Sequence, residues 1–126
     1  MDKNSKRKEL KEQYRQTRSQ MGVFAFRCQA AGRVYLGASQ NMPSALTSIR
    51  FQLQNNSFPS NRRLLADWQQ YGAAGFSQEA LEVLDYDKDD DLKTDYLQDL
   101  AILKEFWRER LQAEGLTVEN VKPRDR

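Results

Sequence analysis

The stretch from Asp85 to Asp95 (DYDKDDDLKTD) is dense in carboxylates, which suit a hard cation such as Mg²⁺ or Ca²⁺ bound through oxygen. Asp85, Asp87 and Asp89 occupy positions 1, 3 and 5 of a calcium-loop spacing. Position 6 is Asp90, where the sharp turn needs glycine, and position 12 is Tyr96, where a bidentate acid is needed. The calcium-loop reading fails. The stretch reads instead as a solvated loop whose Thr94 or Asp95 caps the next helix, with acids that suit its positive N-terminus. Tyr35, on a strand, reads as a half-buried packing ring. Arg33, Arg50, Arg62 and Arg63 offer guanidinium groups that match phosphate geometry. For Arg62 and Arg63 the competing reading is a solvated helix start.

Composition excludes whole classes of chemistry. The 126 residues contain no histidine, which removes Ser-His-Asp and Cys-His nucleophile systems and His-based zinc sites. The single cysteine, Cys28, supports neither a CxxC ligand pair nor an intramolecular disulfide; it reads as a small core residue in a reducing, cytoplasmic chain. No apolar run reaches the roughly 18 residues of a membrane span, and the basic N-terminus lacks a signal peptide's apolar segment. No membrane partner is expected.

The formal net charge of +2 hides an asymmetry. Residues 1–76 carry a net +8 and residues 77–126 a net −6. Such a basic front can bind a polyanion, DNA or RNA, without an extreme isoelectric point, although two solvated faces would read the same way.

These groups must be positioned by a small set of elements. Residues 5–18, with Leu10 and Tyr14 four apart, suit a basic helix leaning on the body. Gly22 to Cys28 and Arg33 to Ala38 surround a Gly-containing turn and predict a β-hairpin. Met42, Ala45, Leu46, Ile49 and Leu53 repeat at helical spacing. Ser60 or Asn61 can cap a second helix with Leu64, Leu65, Trp68 and Tyr71 inward, stopped by Gly72. Phe76 to Leu84 predicts a third strand. A helix over about 95–112 turns Leu97, Leu100, Leu103, Trp107 and Leu111 to one side. The expected fold is α+β, a three-stranded antiparallel sheet flanked by helices in the order α-β-β-α-α-β-α. Its parts are a basic arm over 1–20, a domain over 21–114 and a loose tail over 115–126. Burial is expected at Phe24 or Phe26, Val34, Leu46, Ile49, Leu65, Trp68, Leu100 and Trp107.

Gly22-Val23-Phe24, followed after ten residues by Tyr35-Leu36-Gly37, resembles the paired tripeptides of the GIY-YIG nuclease superfamily. The helix after the second motif, the helix ending Asp67-Trp68-Gln69-Gln70-Tyr71-Gly72, the strand with Leu81-Glu82-Val83-Leu84 and the helix with Phe106-Trp107 follow the same succession over about residues 20–112. Residues 85–107 and the basic N-terminal segment also resemble small stand-alone bacterial proteins of that superfamily.

The resemblance implies phosphodiester cleavage by a tyrosine oxygen near the attacking water, an arginine on the phosphate, and a glutamate holding one divalent metal at the leaving oxygen. Carried over position by position, the first tyrosine falls on Phe24 and the second on Tyr35. The arginine, eight residues after Gly37, falls on Ala45. The metal glutamate, three residues before Trp107, falls on Lys104, and a late asparagine of some members corresponds to Asn120. Only Tyr35 keeps its group among the four central positions. At about 100° per residue Lys104 lies within the arc of Leu97, Leu100, Trp107 and Leu111. It either points inward where the acid would stand or snorkels to water. Arg50 could replace the lost arginine's charge, or be a plain surface residue.

The expected function is a GIY-YIG-type domain with a degenerate site that binds nucleic acid at low specificity, or a protein partner, and needs no cofactor. Two alternatives stand beside it. One is an active endonuclease using Mg²⁺ or Mn²⁺ with a rearranged set, such as Tyr35, Arg50 and an acid from elsewhere. The other is a regulatory domain without nucleic-acid affinity.

Overall fold

The computed structural model describes residues 19–58, 61–90 and 92–122. The helix read over residues 5–18 therefore lies outside the described residues. In chain order the elements are β1 (Met21–Cys28), β2 (Arg33–Ser39), α1 (Met42–Gln54), α2 (Arg62–Tyr71), β3 (Phe76–Leu84), α3 (Leu97–Ala113) and β4 (Thr117–Asn120).

Aromatic and branched residues on both sides of one tight reversal make the hairpin. A 3₁₀ turn at Gln29–Ala31 reverses the chain, and Gly32 closes it at φ 64°, a left-handed value that costs glycine little. β1 and β2 then pair antiparallel from Gly22 opposite Ser39 to Cys28 opposite Arg33, and β3 adds antiparallel to the other side of β1.

The sheet has four strands, in the order β3-β1-β2-β4, where three were expected. It is mixed, because β4 runs parallel to β2, with Val34 opposite Val118. Four residues give too short an alternation to signal a strand, so 117–120 reads as tail in sequence. Its physical cause is the open edge of β2. Thr117 N–H donates to Gly32 O at 3.2 Å and Val121 N–H to Leu36 O at 2.8 Å, satisfying carbonyls that would otherwise face water or a stray strand. The described order is thus β-β-α-α-β-α-β.

Strand alternation sorts the core into two layers. Phe24, Phe26 and Cys28 of β1 and Tyr35 of β2 join Ala45 and Ile49 of α1 and Leu64 of α2 on one face. Val23, Ala25, Val34 and Leu36 meet Leu103, Trp107 and Leu111 of α3 on the other. Leu46, Leu65, Trp68 and Trp107 are half-buried, short of the full burial expected.

Side chains cap the helices where the sequence offers them. The Asn41 carbonyl oxygen accepts Ser44 N–H at 3.2 Å, and the Asn61 carbonyl oxygen accepts Leu64 N–H at 3.0 Å. Ser60, the other cap read for α2, lies outside the described residues. The third helix has Tyr96 at its N-cap with no side-chain cap, and the Asp95 carboxylate read as a cap accepts Leu97 N–H at 3.0 Å from the turn before it. One inward residue is misplaced: Leu97 is 62% exposed. α3 starts only there, and Tyr96 takes the inward place just before it, its ring edge-on to Tyr86 at 5.3 Å.

Candidate functional site

The glycines of the two motifs are demanded by close packing. A Cβ on Gly22 would sit 2.1 Å from the carbonyl oxygen of Glu82, beside the point where the β1–β3 register slips by one residue. A Cβ on Gly37 would meet the Phe24 ring at 2.5 Å and the Val121 carbonyl at 3.0 Å. Gly37 lies opposite Phe24 in the ladder, so the bare backbone at 37 is the bed on which that ring rests.

Phe24 itself is fully buried and meets Phe26 edge-to-face at 6.2 Å. Tyr35 is fully buried too, and its hydroxyl donates to Oδ2 of Asp67, itself only 3% exposed. Arg33 closes the group as a fork: Nε donates to Oδ2 at 2.9 Å and Nη2 to Oδ1 at 2.8 Å. Local periodicities assemble this triad. Residues 33 and 35 share a face of β2, and Asp67 stands three residues after the buried Leu64 on α2.

The charges settle accordingly. Hydrogen bonding to Arg33, and then to Tyr35, holds the Asp67 carboxyl below the ordinary carboxylate range, against the opposing effect of burial. Burial first, and then the bond to Asp67, push the Tyr35 phenol well above its ordinary value, so it stays protonated. The Asp67 bond raises the Arg33 guanidinium further still. A tyrosine that orients an attacking water must show its oxygen to solvent. Tyr35 shows none.

Ala45, on α1, is 6% exposed in the same layer as Phe24 and Tyr35. Three of the matched positions therefore come together, as one apolar cluster. Lys104 stands apart from them on α3, the helix covering the other face. It is half-buried, and burial lowers its proton affinity; the Arg108 and Lys122 charges act in the same direction, and Glu105 opposes them. The resemblance implies a divalent metal at this position. An ammonium has no lone pair to donate and repels a cation, so the residues here do not fit one. Among the described residues no three His, Cys, Asp or Glu side chains are grouped so as to hold a metal.

Of the arginines read as phosphate contacts, Arg50 and Arg62 are exposed. Arg63 pairs with Glu119 of β4 at 2.9 Å, and Arg33 is taken up by Asp67. Asn120 accepts a hydrogen bond from Arg108 at its side-chain oxygen, and its backbone oxygen accepts one from Asn61 at 2.9 Å. The acidic loop uses carboxylates to turn the chain: Asp87 accepts Asp89 N–H at 2.9 Å and Asp90 accepts Leu92 N–H at 3.2 Å. No helix among the described residues is long and apolar enough to cross a membrane.

Sequence reasoning did not single out Asp67 or Arg108. A signal for Asp67 existed: it is the one acid between residues 21 and 76, set among the inward residues of α2.

No family model matches the chain, and no curated protein does. Two solved structures do. One is the catalytic domain of homing endonuclease I-TevI, at TM-score 0.59 and 19% identity, covering 80% of this chain and 97% of that one. The other is a glutamate-to-alanine variant of the same domain, at TM-score 0.58 and 17% identity, covering 79% of this chain and 92% of that one. With the Gly22-Val23-Phe24 and Tyr35-Leu36-Gly37 strands paired at its centre, this chain has the fold of the GIY-YIG nuclease catalytic domain.

Proposed function

We propose that this domain is a catalytically silent GIY-YIG-fold module that binds nucleic acid at low sequence specificity through its basic surface. One observation carries the silence: the Tyr35 hydroxyl is buried as a donor to Asp67 and offers no oxygen to a phosphate or a water. Around it Phe24 lacks a hydroxyl, Ala45 lacks a cation and Lys104 lacks a carboxylate. Losing one electrostatic stabiliser of the transition state typically costs about 10²–10³ in rate, and groups acting on one phosphate do not lose independently. Binding needs none of them. Exposed Arg50 and Arg62, together with the cations of residues 3–18, supply the charge, and among the described residues no base-reading element accompanies Arg50 and Arg62. DNA is a candidate polyanion because the two matched structures are of the catalytic domain of a homing endonuclease.

The test pairs a cleavage assay with a binding titration on duplex DNA, single-stranded DNA and structured RNA, with Mg²⁺ or Mn²⁺ present. No cleavage above background is expected, with affinity falling on a log–log salt slope of about −0.9 per phosphate neutralised on duplex DNA. Metal-dependent cleavage that disappears in Tyr35→Phe would establish the rearranged endonuclease instead. Undetectable binding at low salt would leave a protein as the partner.

A further inference from the structure

We propose that Lys104, Arg108 and Lys122 form a phosphate-binding site where α3 meets the chain leaving β4, in which an ammonium takes the phosphate directly and no metal intervenes. The proposal rests on the nucleic-acid reading for its ligand, not for its geometry.

Two elements build the site. Lys104 and Arg108 are four residues apart on α3 and share a face of it. Asn120 stands opposite Leu36, whose side chain joins the α3 layer, so Asn120 faces the same helix. The ladder continues to Val121 through its N–H bond to Leu36 O at 2.8 Å, and alternation carries Lys122 back to the side of Asn120. Arg108 is already oriented: its side chain is 20% exposed, Nη2 donates to the Asn120 side chain, and Nε lies 3.3 Å from Glu105. The Arg108 and Lys122 charges both act on Lys104, which places the three cations within one another's field.

Of the three cations, Lys104 is the under-neutralised one. Among the described residues Lys104 has neither a hydrogen-bond partner nor an ion-pair partner. Glu105 is 61% exposed and turned to Arg108. A half-buried ammonium in the field of two further cations, with no ion-pair partner and only the outward-turned Glu105 opposing them, costs folding energy, which a polyvalent anion would recover. Phosphate fits best: a guanidinium supplies planar donors, two ammoniums supply point charges, and the tetrahedral oxygens accept from several directions.

The test uses inorganic phosphate and a short oligothymidylate at constant ionic strength, read by amide NMR shifts at Arg108 and Asn120. Saturable shifts are expected with phosphate, with the oligonucleotide competing for the same site. Lys104→Met, a change that keeps the apolar stem, should weaken phosphate about tenfold to a hundredfold, as loss of one charged hydrogen bond does. Lys122→Gln should weaken it too, and Lys88→Gln, an exposed lysine outside the site, should leave it unchanged. Absence of saturable shifts, or unchanged phosphate affinity in both lysine variants, overturns the site. Phosphate binding that the oligonucleotide does not displace would support the site with free phosphate as its ligand and count against the nucleic-acid reading. Oligonucleotide binding indifferent to Lys104→Met and Lys122→Gln would do the reverse.

Discussion

Tyr35 and Asp67 meet in the interior between β2 and α2, the phenol donating to a carboxylate that Arg33 grips on both oxygens. The residue that the motif would assign to chemistry is thereby a tie between sheet and helix. The two partners should differ in their worth to the fold. Tyr35→Phe removes one donor but leaves Asp67 its two bonds from Arg33, so a loss of about 1 kcal/mol is expected. Asp67→Ala strands a guanidinium whose side chain is only 28% exposed and leaves the phenol without an acceptor, so about 3 kcal/mol or more is expected. Urea unfolding of the two variants checks the order; equal losses would refute the tie.

The same carboxylate sets an acid limit on stability. Its folded value lies below the ordinary range, mainly through Arg33, so the unfolded chain binds the proton more tightly. The stabilisation is complete above the unfolded value, about 4, and is lost as pH falls through the folded one. The acid limb of ΔG against pH should accordingly be steeper in the wild type than in Asp67→Asn. At the alkaline end the sign is opposite: the folded phenol of Tyr35 holds its proton beyond the unfolded value, so stability declines above about pH 10. Phenolate absorbance should show one tyrosine ionising only with unfolding, and Tyr35→Phe should abolish that component.

The motif glycines have a structural reason to be glycine whatever the chemistry. Gly37→Ala presses a methyl into the Phe24 ring, which can shift, and overpacking of this kind costs about 1–3 kcal/mol. Gly22→Ala drives it to 2.1 Å from a backbone oxygen in the neighbouring strand, which cannot yield without opening the ladder, so the larger loss is expected there. Thermal unfolding of both, with Gly32→Ala as a left-handed turn control, ranks them. A Gly22→Ala protein as stable as the wild type would mean that β1 and β3 do not approach as described.

What was legible in the sequence followed from strong local signals. The Gly-flanked aromatic runs, the helical repeat from Met42 to Leu53 and the Asn61 cap each specify their element without distant help. A wheel cannot say where a helix begins, so Leu97 reads as inward although Tyr96, just before the helix, takes that place. The Arg33–Asp67–Tyr35 triad joins residues 32 and 34 apart in sequence, beyond the reach of any periodicity. Substituted positions such as Ala45 and Lys104 were found by spacing alone. Their surroundings, one an apolar layer and the other a group of cations, came only with the tertiary structure.

The segment after α3 gives the sharpest contrast between the two readings, and truncation decides it. A loose tail contributes nothing, so ending the chain at Leu116 would leave stability unchanged. As β4 it supplies the parallel partner of Arg33 to Leu36, half-buried Val118 against one core layer and fully buried Val121 against the other. Burying a valine is worth about 1.5–3 kcal/mol, and the lost ladder would reopen the edge of β2. Truncation should therefore cost several kcal/mol, a large part of a small domain's stability, and promote association through the bared strand. Val121→Ala isolates the packing contribution, with a loss of about 1–2 kcal/mol expected from the deleted methyls and the cavity they leave. Thr117→Pro isolates the ladder, since it deletes the N–H that donates to Gly32 O. If both point variants and the truncation unfold at the wild-type urea midpoint, β4 is not part of the folded sheet in solution.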